Sequence, residues 1–315
     1  MVKRLCRAVG ITAALAACMG CGEEPPPESP GTAPAKVIGA SLLTKTHVFY
    51  QDLAAAMADE AAKHGFKIEI QYCEFDGARQ NDQASTFIVK GVDALVLSPN
   101  DSAAVRPVIA RARSQGIPVF TVDIAADGAD VVSHVASDNV QGGRVIGKYL
   151  AGLLGGNGTV AIIDHPGAAS VRDRVAGFEE AMAAHPGITV VQKAPGEGQR
   201  DKAMLVAQDV LQRMPELDAI FGINDDSALG ALAAAQAAGL ADDLIIVGYD
   251  GTPEAREKIL AGSALKADTV QYPEKIGRAA ISVIADHFAG KSTPAVVPVD
   301  VGIIDADTLR KEKGE

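Results

Sequence analysis

From Val37 onward, short apolar runs alternate with longer stretches in which apolar residues recur at helical spacing. The runs Val37–Leu42, Ile68–Tyr72, Ala94–Leu97, Val119–Val122, Val160–Ile163, Ala219–Ile223 and Ile245–Tyr249 predict β-strands. Asp52–His64 illustrates the helices between them. Leu53, Met57 and Ala61 share one face, Asp59, Glu60 and Lys63 lie outside, and Gly65 supplies the stop. This alternation is the mark of βα units with parallel sheets. Two consecutive blocks of such units, with a break near Ser137-Asp138, predict two sheets of about six strands rather than one of a dozen.

The start of the chain follows a different pattern. Lys3, Arg4 and Arg7 precede the apolar run Ala8–Ala17, which is too short to span a bilayer and predicts a cleaved signal over residues 1–17. Leu15-Ala16-Ala17-Cys18 resembles a bacterial lipobox, which implies acylation at Cys18; Cys21, preceded by Cys-Met-Gly, is a poorer acceptor. Residues 18–35, with Pro25-Pro26-Pro27, Pro30 and Pro34, cannot bury a core and read as an extended tether.

Composition narrows the partners. Hydrophobic residues at 48% and charged residues at 22% are a globular balance. The net charge of −11, made more negative by loss of three basic residues with the signal, argues against nucleic acid or anionic lipid as a partner. Membrane contact is therefore expected through the lipid alone. Cys73 is the one cysteine in the folded body and reads as a buried small hydrophobe.

In open α/β sheets ligands bind beyond the carboxyl ends of the strands. Four polar groups follow apolar runs: Ser98-Pro99-Asn100-Asp101, Asp123, Asn224-Asp225-Asp226 and Asp250. Asp226 or Asp101 suits the role of helix cap, leaving Asn224 and Asp123 for a ligand. Asp123, Asp250, Asn224, Gln271 and Arg174 are the groups that hold vicinal hydroxyls. Phe49 and Tyr50, after the first strand, suit either a plate for a sugar's C–H face or core packing.

Several segments carry a family resemblance. They are Val131–Gly143, Arg172-Asp173-Arg174-Val175-Ala176-Gly177-Phe178, Asn224–Leu232, Val247-Gly248-Tyr249-Asp250-Gly251-Thr252-Pro253 and Gln271–Gly277. From about Val37 to Ile304 the chain resembles the type I periplasmic sugar-binding proteins, the ribose binders above all. That resemblance implies an α/β fold of two doubly wound parallel-sheet lobes joined by a three-strand hinge. The lobes implied are residues 36–137 with 272–300, and 138–271 with 301–315. It also implies a monomer without cofactor or metal, which binds a small sugar or polyol and delivers it to an ABC permease and ATPase complex.

The ligand set implied is His47, Phe49, Tyr50, Ser98, Asp123, Arg174, Asn224, Asp250 and Gln271, with the aromatic pair sandwiching the sugar. Departures stand within it. His47 and Ser98 replace asparagines typical of ribose binders, Ile124 replaces an arginine, and Gly198 falls near a position usually aromatic. His47 and Gln199 are the candidates to compensate, and ribose leads other pentoses, hexoses and polyols.

Other functions fit less well. A sensory protein docking on a chemoreceptor or sensor kinase would use the same fold. A carbohydrate-active enzyme is disfavoured: the chain has no G-x-S-x-G elbow, no G-x-x-x-x-G-K-[ST] loop and no H-E-x-x-H, and its six histidines lack metal-ligand spacing. Gly155-Gly156-Asn157-Gly158 precedes a strand and reads as a turn.

Overall fold

The computed structural model describes residues 34–314. The signal, Cys18, Cys21 and the tether up to residue 33 lie outside the described residues. The elements run β1 (Val37–Leu42), α1 (Val48–Lys63), β2 (Lys67–Tyr72), α2 (Gly77–Lys90), β3 (Ala94–Leu97), α3 (Arg106–Ser114), β4 (Val119–Val122) and β5 (Ser133–Ser137). They continue with α4 (Asn139–Leu153), β6 (Asn157–Asp164), α5 (Ala169–Ala183), β7 (Gly187–Pro195), α6 (Arg200–Arg213), β8 (Ala219–Gly222) and α7 (Asp225–Ala238). The last are β9 (Ile245–Asp250), α8 (Pro253–Leu260), β10 (Leu265–Val270), α9 (Pro273–Phe288), β11 (Val296–Val299), β12 (Gly302–Asp305) and α10 (Ala306–Lys313).

Two six-stranded sheets result, ordered β11-β5-β4-β3-β1-β2 and β12-β10-β9-β8-β6-β7. Every pairing in the first is parallel, while in the second β12 joins β10 antiparallel. The central strands β3, β4 and β8 are buried at every residue, because helices cover both faces of each sheet. In the first lobe Leu53, Met57, Ile276 and Ile281 pack on one face, and Phe87, Ile109 and Ala112 on the other. Cys73 is fully buried, its thiol donating to the Leu43 carbonyl at 3.3 Å, and burial pushes that thiol up to about 11.

The chain passes between the sheets three times: from β5 into α4, from β10 into α9, and from β11 into β12. Asp138 caps α4 at the first passage by accepting from the Gln141 amide at 3.0 Å. No helix among the described residues is long and apolar enough to cross a membrane.

One helix pair sets the geometry of the second lobe. A Cβ at Gly143 on α4 would lie 1.9 Å from the Arg174 carbonyl oxygen on α5, and one at Gly177 would lie 2.0 Å from the Val140 carbonyl oxygen. The two backbones therefore touch, which only glycine permits. Gly177→Ala should lower stability by about 1–3 kcal/mol through forced separation of the helices. The measurement is the urea midpoint at constant m-value, and an unchanged midpoint would show that the contact is not needed.

Candidate ligand-binding site

In both sheets the strand order reverses beside the first strand of the lobe, between β1 and β3 and between β6 and β8. Such switch points open a crevice at the carboxyl ends of the strands. The two crevices share a cavity of about 50 Å³ lined from both lobes. One buried water needs roughly 10–15 Å³, so the space suits a solute several waters in size.

The first lobe contributes through α1 and the end of β4. His47 caps α1, its Nδ1 accepting from the Phe49 amide at 3.2 Å. That leaves the neutral ring's hydrogen on Nε2, which lies 3.4 Å from Asp250 Oδ2 of the second lobe. Placing Phe49 and Tyr50 in the first helical turn keeps both rings beneath the cavity, edge to face at 5.1 Å. Tyr50 does more than offer a flat face. Its hydroxyl donates to Asp123 Oδ2 at 2.5 Å, and Ser98 Oγ lies 3.4 Å from the same oxygen. Burial, then the Asp123 charge, pushes the Tyr50 hydroxyl well above its ordinary value, so it stays a donor. Ser98 is fully buried behind Asp123 and does not line the cavity.

Asp123 sits at φ +62 and Asp250 at φ +126, unusual backbone for residues other than glycine. Burial raises the Asp123 carboxyl, against the opposing pull of the Arg174 charge and the Tyr50 hydroxyl. Asp250 Oδ1 accepts from Gln271 Nε2 at 2.6 Å, which ties the second lobe's carboxylate to the β10–α9 passage.

Arg174 is buried on α5. Nε donates to Asn139 Oδ1 at 2.8 Å, Nη1 donates to the Ile223 carbonyl at 2.9 Å, and the guanidinium lies 4.0 Å over the Tyr249 ring. Nη2 makes no hydrogen bond to the described residues and remains for a ligand. Gly142 leaves room for this stack, since a Cβ there would lie 2.2 Å from the Tyr249 hydroxyl.

The division of labour expected between caps and ligand groups needs correction. Asn224 itself caps α7, accepting from the Ser227 amide at 2.9 Å, and its Nδ2 donates to the Gly198 carbonyl at 3.0 Å. Asp226 instead pairs with Arg200 at 3.0 Å, while Asp101 caps the turn at Ala103 and Ala104. Asn224 still lines the cavity, with one amide hydrogen left to give. Gln199 precedes α6 and is not among the lining residues, so it is not the compensating group.

Thr44, Phe75, His165 and Ser170 also line the cavity and were missed from the sequence. Phe75 and His165 each stand just beyond a strand, β2 and β6, so the strand-end rule that picked Asp123 would have found them.

Behind Asp250 lies a second acidic layer. Asp225 Oδ2 accepts from the Thr252 amide at 2.7 Å, while Asp225 Oδ1 and both oxygens of Asp268 lack a protein donor. Burial, then the Asp268 and Asp250 charges, pushes Asp225 well above its ordinary value. Burial pushes the Asp268 carboxyl up to about 7. The pair therefore holds a proton that the unfolded chain gives up near pH 4.

Comparison with known proteins places this geometry. The model of the periplasmic binding protein domain matches residues 38–292. The chain belongs to the periplasmic binding protein family. The ribose import binding protein RbsB of Bacillus subtilis is 34% identical over 292 residues, which cover 91% of this chain and 94% of that protein. A solute-binding protein of an ABC transporter from Bacillus halodurans, solved with bound myo-inositol, superposes with a TM-score of 0.82 at 27% identity, covering 90% of this chain and 99% of that one. The fructose-binding periplasmic domain of the hybrid two-component system BT1754 gives 0.83 at 26%, covering 88% and 93%. The two lobes are those of the type I periplasmic binding proteins.

The acidic layer makes a testable demand on this binding protein. Both carboxyls are raised on folding, so their stability contribution is intact below about pH 4 and is lost as pH rises, through about 7 for Asp268. Asp268→Asn should flatten that fall and exceed the wild type by roughly 1–3 kcal/mol at pH 8. Parallel pH profiles in urea unfolding would remove the shared proton from the account.

Proposed function

We propose that the chain is an extracytoplasmic receptor for a neutral monosaccharide or polyol, ribose first among them, which it hands to an ABC-type importer. One observation carries this reading. A cavity between two lobes holds two carboxylates, a guanidinium with an unspent Nη2, and two amides, beside the rings of Phe49 and Tyr50. Vicinal hydroxyls both donate and accept, which such a mixed set satisfies, whereas an apolar solute would leave these groups unpaired. Asp123, Arg174, Asn224, Asp250 and Gln271 are the polar contacts in this reading. His47 joins them through Asp250, while Ser98 acts by holding Asp123. Tyr50, with its hydroxyl engaged by Asp123, orients that carboxylate in place of the arginine that Ile124 displaces.

The similarity to ribose- and myo-inositol-binding proteins supports the ligand class. The likeness to a domain of a two-component system supports sensing as the second reading, with delivery of the signal to a sensor kinase or chemoreceptor. Permease and ATPase genes beside this one would favour import.

The test is a calorimetric and thermal-shift panel of pentoses, hexoses and polyols. One sugar should bind 1:1 without chemical change and, at a hundredfold excess over Kd, stabilise the protein by about 2.7 kcal/mol. Arg174→Ala should weaken it by about 2–5 kcal/mol, at least some thirtyfold in Kd, while the protein stays folded. Unchanged affinity would take Arg174 out of the site.

The Leu15-Ala16-Ala17-Cys18 motif supports anchoring through a lipid on Cys18, with the proline-rich segment as spacer. Cys18→Ala should move the protein from the membrane fraction to the soluble one on cell fractionation. Retention at the membrane would point instead to Cys21 or an uncleaved signal.

A further inference from the structure

His165 stands on the loop between β6 and α5, largely buried. The first lobe lines the cavity with the rings of His47, Phe49, Tyr50 and Phe75; among the described lining residues His165 supplies the ring of the second lobe. It covers the turn at Gly198, a position without a side chain. A Cβ at Gly198 would lie 3.5 Å from His165 Nδ1 and 3.4 Å from the Asn224 amide nitrogen, and the turn's φ of +65 disfavours any larger residue there. Glu197, next in the same turn, places Oε2 3.4 Å from His165 Nε2 and is not among the residues lining the cavity.

We propose that His165 is the specificity-determining residue of the second lobe, selecting ligands that turn a hydroxyl toward that wall. The inference rests on the sugar-receptor reading. The physical reason is the difference between imidazole and phenyl. A phenyl ring rewards a bare C–H face, whereas an imidazole nitrogen left opposite such a face loses a hydrogen bond in a buried place. The ring is buried with Glu197 at its Nε2 side and Gly198 at its Nδ1 side, so its polar edge stands at the wall before the ligand arrives. Sites built to hydrogen-bond a hydroxyl discriminate strongly against analogues that lack it.

The experiment measures affinities of wild type, His165→Gln and His165→Phe for epimeric aldopentoses and aldohexoses and for myo-inositol, by calorimetry, with melting in the absence of sugar as the check of folding. His165→Gln keeps a hydrogen-bonding group and should preserve the order of affinities. His165→Phe should reorder them, the best wild-type ligand losing about tenfold or more against at least one epimer. If the phenylalanine variant does not fold, His165→Leu, smaller and apolar, takes its place. A common factor across all sugars, or no change, overturns the role given to His165 while leaving the receptor reading standing. A wild-type protein that binds no sugar in the panel overturns both.

Discussion

Arg174 carries a full positive charge into a space that excludes most water, and much of the second lobe is arranged around that cost. An unpaired buried guanidinium would be strongly destabilising, so Nε and Nη1 are met by the Asn139 side chain and the Ile223 carbonyl, and the face by Tyr249. Those partners come from α4, the end of β8 and β9. They converge only because α4 and α5 touch backbone to backbone at Gly143 and Gly177, and because Gly142 makes room for Tyr249. The glycines, the stack and the charge form one structural unit.

The opposing carboxylates are held by the same logic. Asp123 has Tyr50 and Ser98, Asp250 has Gln271, and each stands on unusual backbone at the end of its strand. A group so over-determined has little freedom left to lose when a ligand arrives, which is the benefit of preorganisation. The Asp225–Asp268 layer shows the limit of this arrangement. A third and fourth acidic group behind Asp250 could not all ionise in a dry interior, and a proton is retained there instead.

The lobes meet at the rim as well as at the site. Arg172 on α5 reaches Asp127 of the first lobe at 2.6 and 2.7 Å, and Ser102 Oγ accepts from the Ala169 amide at 2.9 Å. The ion pair is exposed and therefore weak on its own. Together with His47 facing Asp250, these contacts set polar pairs across the cleft beside the apolar packing that links the two lobes.

The sequence by itself determined the α/β class and the strands β1, β3, β4, β6, β8 and β9, because strands buried on both faces are continuous apolar runs that need no knowledge of their neighbours. The edge strand β7 escaped notice, as its residues alternate between buried and exposed, and so did the polar β5, β10 with Lys266 and Asp268 inside it, and the short edge strands β11 and β12. The strand-end residues were legible for the same reason that the strands were. Which of them would be free was not. Asn224 and Asp226 are equally good caps in sequence, and only the position of Arg200 on α6 decides that Asp226 is occupied elsewhere. The same holds for Tyr50, whose hydroxyl meets an aspartate 73 positions away, and for His165, placed over Gly198 by the packing of β6 against its neighbours. Local pattern decides which segments form; the direction in which a polar side chain spends its hydrogen bonds depends on groups distant in the chain, and only the tertiary structure brings those together.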